Sequence, residues 1–441
     1  MEELTDKIKS ILSVRKVTGD VYITSGREEE VIVNDKKAEK MKSCGFFGMA
    51  VRIFKDGKMG FGYSTEPSVS GVEKLVERVL SGVYADGYED YKLPEKKARG
   101  GVKTKDNEYK NFNADKKMKK ALDIEKNAAA ADKRVKLVRD TTVGSFESKT
   151  TLINTSGFEG SFDSTYYYAR STAISSDKNS EEAADGFTGS VKLADVDFNE
   201  MAEDTGRRAA CLLGGSSVKP GEYTLIIPPR AGVDFMELIS GLFLSSNIRK
   251  GKSMFRDYKK GDTIGPDFLE IRDNALRDYL AGSCPFDGEG EPAGENVVVK
   301  GGKLNTFLYD INDGLYFGSG STANSYRADF KSLPEAGTSN FYLAGGKKSA
   351  RETLKNKKGI FINSLMGLHM ADPVSGNFSL GINGWVFENG EKGRAVNETL
   401  ITGNIKNVLK NITDICGDPE FYYGFGAPTI VVDNISVSGK Q

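Results

Sequence analysis

Residues 45–64 read GFFGMAVRIFKDGKMGFGYS. Phe46 to Phe54 is rich in β-branched and aromatic side chains, Asp56-Gly57 supplies a turn of positive φ, and Met59 to Tyr63 runs back, which predicts a β-hairpin. Before it, Leu4, Ile8, Ile11 and Leu12 fall on one stripe of an amphipathic helix. After it, Ser68 or Ser70 caps a helix whose apolar positions Val72, Leu75, Val76, Val79 and Leu80 recur at helical spacing. A hairpin between two amphipathic helices makes the opening α+β.

Further along, Tyr91 to about Asn113 is polar and rich in Lys and Gly, as expected of a surface connection. A helix is expected over Ala114 to Asp132, where the Ala128–Ala131 run favours it by propensity. Strands follow over Val135–Val138, Ser148–Asn154 and Ser161–Ile174. A helix from about Phe198 to Leu213, capped by Asp197 and ended by Gly214-Gly215, closes the region. Lys219-Pro220-Gly221 marks a join. Beyond it come a buried-type strand, Tyr223 to Ile227, and a helix, Val233 to Leu244, with Phe235, Leu238, Ile239 and Leu242 on one face. From Pro266 to Gly439 the glycines and short alternating runs predict many strands with tight turns, plus one helix from Asn404 to Ile415. The expected fold is α+β in two parts. A mixed α/β N-terminal domain covers 1–213, with a sub-boundary near 91–113, and a mostly antiparallel-β C-terminal domain covers 221–441.

The 441 residues exceed what one hydrophobic core organises, and Lys plus Arg, 61, nearly balance Asp plus Glu, 62. No global field draws such a chain onto nucleic acid or an anionic membrane. The longest apolar runs fall far short of the ~20 residues that span a bilayer. The first residues carry charges where a signal peptide needs an apolar stretch. The four cysteines, Cys44, Cys211, Cys284 and Cys416, have neither metal-ligand nor redox spacing, so a reducing, cytoplasmic location is expected.

The single histidine, His369, constrains chemistry most. A catalytic zinc takes three protein ligands, usually with two or three histidines, and this inventory cannot supply them. Ser-His-Asp or Cys-His catalysis would have to pass through His369, which has no nucleophile elbow beside it. Gly318-Ser319-Gly320-Ser321 lacks the lysine of a P-loop, and Asp287-Gly288-Glu289-Gly290 lacks the third glycine of a dinucleotide fingerprint. A carboxylate-held Mg²⁺ or Ca²⁺ stays open, as does acid–base work by Asp287 and Glu289.

Several stretches, in order, carry a family resemblance. They are Asn154-Thr155-Ser156-Gly157, the helix over Val233–Leu244 followed by Arg249-Lys250-Gly251, and Phe286-Asp287-Gly288-Glu289-Gly290. Then come Asp372-Pro373-Val374-Ser375-Gly376-Asn377, Glu388-Asn389-Gly390, Leu400-Ile401-Thr402-Gly403-Asn404, and Ala427-Pro428-Thr429-Ile430. Over roughly residues 150–439 the chain resembles the TldD/PmbA family, whose members were named as modulators of DNA gyrase and are understood as peptidases of small or unfolded peptides. In TldD-like subunits the helix carries His-Glu-x-x-x-His, and a later cysteine completes a zinc site. Here, with Arg249-Lys250-Gly251 fixing the register, Met236 and Gly241 replace the histidines and only Glu237 is kept. Phe421-Tyr422-Tyr423-Gly424 offers no cysteine.

The resemblance therefore implies the TldE/PmbA-like branch, with no metal or catalytic residue in this chain and zinc in a TldD-like partner. The substrate would be an unfolded or small peptide, and the isolated chain would pair with itself. Met236 and Gly241 are expected beside a groove or interface. Arg249, Asp287, Glu289, Gly290, Asn377 and Asn389 are the candidates for lining it. An independent carboxylate- or non-zinc-metal-dependent hydrolase, and a protein that modulates gyrase or DNA, remain alternatives.

Overall fold

The structure, a computed structural model, describes residues 2–439 except 83 and 96, and the side chains from residue 5 onward. The expected helix at the start is α1, Glu2–Val14, which buries Ile8 and Leu12; the side chain of Leu4 lies outside the described residues. The hairpin at 45–64 joins β2, Lys37–Lys55, to β3, Lys58–Ser64, and Asp56 and Gly57 both take positive φ, 51° and 73°. That backbone twist matches the strands it joins. Ser68 caps α2, Val69–Leu80, by accepting the N–H of Gly71 at 3.0 Å.

A strand absent from the sequence-based expectation, β1 (Thr18–Asn34), pairs with β2 along almost its whole length. Its charged middle, Arg27-Glu28-Glu29-Glu30, breaks the apolar alternation by which strands are recognised. With β4 (Tyr84–Ala85), β5 (Val135–Asn154), β6 (Glu159–Ser176) and β7 (Glu181–Ser190) it forms a seven-stranded sheet. The order is β4-β3-β2-β1-β5-β6-β7, and every neighbour is antiparallel. The three short strands expected over 135–174 are thus parts of two long ones. Their ends are covered by different helices. α1 and α2 pack Ile8, Leu12, Val72, Leu75 and Val76 on β1–β3. α3 (Ala114–Ala130) and α4 (Phe198–Leu212) pack Ala121, Ile124, Ala128, Phe198 and Ala202 on β5–β7. Asp197 caps α4, accepting from Asn199 and Glu200 at 3.1 and 2.9 Å.

The segment over 91–113 is not merely a surface connection. Leu93 is buried, Asn154 Nδ2 donates to the Pro94 carbonyl at 2.7 Å, and the Arg99 N–H donates to the Pro285 carbonyl at 2.9 Å. Its polar composition reflects backbone and side-chain hydrogen bonds made to both parts of the molecule.

In the C-terminal part, β8 (Gly221–Ile227) joins four strands, Lys358–Met366, Asn377–Glu388, Glu391–Asn404 and Ile430–Gly439. Each pairs with the next, and the last closes back on β8, so the five make a ring. Only the β8 pairing with Lys358–Met366 is parallel. A second sheet runs beside the ring. α5, Pro229–Ser240, begins earlier than periodicity suggests because Pro229 presets helical φ in its first turn, and a 3₁₀ turn, Gly241–Phe243, continues it. Phe235, Ile239, Leu242 and Phe243 go into the main core with Ile227, Ile362 and Ile401, and Leu238 packs against it. The helix expected over Asn404–Ile415 stops at Lys410. Ile412–Ile415 is a strand on Ile430–Val432, as its β-branched residues favour. None of the described helices is long and apolar enough to cross a membrane.

Candidate functional site

Two clefts flank the C-terminal part, and some of the candidate residues fall at one or the other.

The first lies where β1 and β2 meet the loop after Phe286. Asp287 builds that loop: its Oδ1 accepts the N–H groups of Glu289 and Glu291 at 2.9 and 3.0 Å, and its Oδ2 that of Ser325 at 3.0 Å. Gly290 takes φ +95°, a conformation that favours glycine, and a Cβ there would also crowd Leu152 Cδ2 at 2.7 Å. Glu289 is thereby aimed at Arg52. Its Oε1 accepts from Arg52 Nη1 at 3.0 Å and from the Tyr91 hydroxyl at 2.8 Å, while Oε2 accepts the Ile311 N–H at 2.9 Å. Arg52 also grips Asp20 through Nε, at 3.0 Å, and through Nη2. Arg327 completes the group: its Nε donates to the Gly288 carbonyl at 2.8 Å, and its guanidinium covers the Tyr22 ring at 4.9 Å. Asp20, Arg52, Glu289 and Arg327 are all at most 2% exposed by side chain.

This cluster walls a cavity of about 320 Å³ that Arg249, Asp310 and Asp313 also line. Arg249 pairs with Asp313 at 3.2 Å and lies over the Tyr316 ring. Burial, and then the charge of Glu289, push the Asp310 carboxyl up to about 7. Asp287 feels the same two effects, opposed by the three N–H groups that favour its ionised form. Arg249, Asp287, Glu289 and Gly290 therefore come together. Their polar atoms are engaged, and Glu289 has no oxygen left without a donor. The arrangement binds two parts of the chain to each other.

Asn377 and Asn389 line neither cleft. Asn377 opens its strand and accepts from Asn404 Nδ2 at 2.9 Å. Asn389, at φ +53°, and Gly390, at +92°, form the tip of the next hairpin. Both residues have turn or strand-end positions of the kind asparagine favours. His369 is exposed on a single 3₁₀ turn, Leu368–Met370, outside both clefts.

The second cleft is built on α5, and it corrects the placing of Met236. That side chain is 2% exposed and belongs to the main core. It shares the inward face with Phe235 and Ile239, so it does not border a groove. The residues that do are Asp234 and the exposed Glu237, one turn apart. With Arg230, Phe187, Tyr422 and Tyr423 they line a cleft of about 260 Å³. Burial pushes the Asp234 carboxyl up to about 6, Arg230 opposing and Glu237 adding to the shift. Through Phe187, Arg230 and Tyr422 this cleft adjoins a larger one of about 390 Å³ between α4 and the ring, reaching Arg208, Asn363, Trp385 and Lys392. Asp234 was legible in principle as a second carboxylate three residues before Glu237. Arg230 and Lys392 carried no signal, because only the fold brings α5 and the strand Glu391–Asn404 together.

Gly241 is half-buried, and a Cβ there would have Asn247 Nδ2 at 3.5 Å, an ordinary contact, so a side chain could be carried but none is. With a thioether in the core at 236 and no side chain at 241, α5 does not fit the three-ligand set of a catalytic zinc. Among the described residues no group of three His, Cys, Asp or Glu is arranged to hold a metal ion.

Three family models match in succession: PmbA/TldA metallopeptidase domain 1 over residues 19–82, the central domain over 107–213 and the C-terminal domain over 220–439. The chain belongs to the PmbA/TldD metallopeptidase family. Within the family, it is 27% identical over 332 residues to a metalloprotease PmbA homolog of Buchnera aphidicola, covering 75% of this chain and 72% of that one. Its fold is that of two crystal structures. One, from Thermotoga maritima and described as a candidate modulator of a DNA gyrase, has a TM-score of 0.88 at 24% identity, covering 99% of this chain and 100% of the other. TldE from Thermococcus kodakarensis has a TM-score of 0.84 at 19% identity, and both chains are covered completely.

Proposed function

We propose that this chain is the TldE/PmbA-like subunit of a two-component zinc metallopeptidase and carries no catalytic site of its own. The observation that supports it most is α5. The helix keeps Glu237 at a cleft, yet buries a methionine at one family ligand position and has no side chain at the other. A glutamate with no metal-bound water beside it has nothing to deprotonate by the metallopeptidase route. The zinc would then belong to a TldD-like partner. This chain would form part of the wall that holds a small or unfolded peptide extended, by β-augmentation, at the partner's metal. In the partner's absence a pair of these chains would cover the same surface.

Elemental analysis of the purified chain after a weak chelator is the test. Less than about a tenth of a zinc per chain is expected, because none of the three ligands of the family's zinc site is present. About one zinc per chain, retained, would overturn the proposal.

One observation keeps an independent hydrolase in view, and it is not the Asp287–Glu289 pair. Asp234 and Glu237 face one cleft, and burial pushes the Asp234 carboxyl up to about 6, into the range of a general acid or base. Chelator-insensitive cleavage by the chain alone, abolished by Asp234→Asn, would favour that reading.

A further inference from the structure

In the larger cleft on α4 and α5, the anionic groups are all engaged, whereas two of the three cations, Arg230 and Lys392, have no ion pair among the described residues. Asp204 pairs with Arg208 Nε at 2.6 Å, and Glu200 with Arg207 at 2.9 Å. Asp197 caps α4, and Glu420 accepts the Tyr422 hydroxyl at 2.5 Å. Arg230, by contrast, spends its donors on uncharged acceptors, the Asp185 carbonyl at 2.6 Å and the Asn363 carbonyl at 2.8 Å. Arg208 also donates to the Asp185 carbonyl, at 2.7 Å, so two guanidiniums converge on one strand. Lys392 Nζ rests over the rings of Phe361 and Trp385, 4.1 and 4.3 Å from their centroids. Among the described residues, neither Arg230 nor Lys392 has a carboxylate within 4 Å. Arg230 is half-buried and Lys392 is exposed at the cleft. A half-buried cation with no carboxylate beside it is stabilised by an anion entering the cleft, and Lys392 stands free to meet the same anion.

The geometry points to a subsite in this cleft for the C-terminal carboxylate of a peptide, with Arg230 and Lys392 as its charge partners and Phe187, Phe361, Trp385 and Tyr422 as the wall for the terminal side chain. The occupant follows from the mixed chemistry: an anion alone would use the cations and leave the aromatic wall wet, whereas a terminal residue uses both. The cleft adjoins the one that holds Glu237, so a peptide anchored here would extend along α5. The inference rests on the proposed peptide-holding role. Lys392 is the more informative of the two cations, since its ammonium makes no hydrogen bond among the described residues, whereas Arg230 ties β7 to the ring.

Trp385 is the only tryptophan in the chain, so its fluorescence reports on this cleft alone. The full chain is titrated with N-acetyl-trialanine as the free acid, with its C-terminal amide, and with acetate. The acid should shift Trp385 emission saturably, at least tenfold more tightly than either the amide or acetate. Lys392→Met should bring the acid's affinity down to the amide's while leaving the amide's unchanged, and Arg230→Gln, if it folds, should do the same. Equal affinity for acid and amide, acetate binding as tightly as the peptide, or no response from any ligand would overturn the subsite. The two proposals fail separately. A chain that discriminates acid from amide but never stimulates a TldD-like subunit keeps the subsite and loses the two-component role. A chain that stimulates without discriminating does the reverse.

Discussion

The two clefts are lined by the same kinds of residue and differ in how their charges are matched. At the junction of β1, β2 and the Asp287 loop, each carboxylate of the core group meets a guanidinium, a hydroxyl or backbone N–H groups within hydrogen-bond distance. Beside α5, Asp234 and Glu237 face open space, and Arg230 and Lys392 lack an ionic partner among the described residues. A cluster whose carboxylates are all matched rigidifies, because breaking it leaves charge stranded in low dielectric. An unsaturated one keeps binding capacity and gives up some stability for it. The first cleft reads as construction and the second as the place for chemistry or a ligand.

The comparison breaks first at Arg52. Arg52→Met would remove the nearest cation from Asp20 and Glu289, both buried, leaving Arg327, Tyr91 and the Ile311 N–H as their partners, and should cost about 3–5 kcal/mol in urea unfolding. A loss under about 1 kcal/mol would mean water already reaches the cluster. Next is Met236→His, which restores one family ligand in type. Because position 236 faces the core, the imidazole would be buried without a partner and should cost about 2–3 kcal/mol. No zinc should be gained. Stoichiometric zinc in the Met236→His, Gly241→His double variant would show instead that this face of α5 can turn outward.

A smaller effect tests the protonation of the first cleft. Asp310 titrates higher when folded than when unfolded, so the folded state holds the extra proton between the ordinary carboxylate range and about 7. Stability from this group is therefore present at low pH and lost as pH rises through that window. Asp310→Asn keeps the cap on the following helix and stays neutral. It should match wild type near pH 4 and exceed it by about 1–2 kcal/mol near pH 8. An unchanged pH profile would place the proton elsewhere in the cluster. Smallest of all, Lys392→Met should alter stability by no more than about 0.5 kcal/mol, because no carboxylate is lost. A loss as large as that of Arg52→Met would remove the contrast between the clefts.

How far the sequence carried depended on the range of the signal. Local chemistry was legible: the Asp56-Gly57 turn, the Ser68 and Asp197 caps, and the α+β alternation all follow from neighbours in sequence. β1 escaped because its charged middle hides its period, and Ile412–Ile415 was drawn into a helix because its strand partner lies near residue 430. The substituted zinc positions could be found from family register alone. That Met236 faces inward, and that Asp234 is the second carboxylate of the cleft, follows from the helix's rotation, which is set by what α5 packs against. The joining of Arg52 to Glu289, 237 residues away in sequence, had no sequence signal at all.

Peptide cleavage by this chain, by a TldD-like zinc subunit and by the two mixed tests the central claim most directly. Background activity is expected for this chain alone, stimulation on mixing that chelation abolishes, and equal stimulation by the Glu237→Gln variant. Cleavage by this chain alone, insensitive to chelator and lost in Glu237→Gln, would contradict that claim.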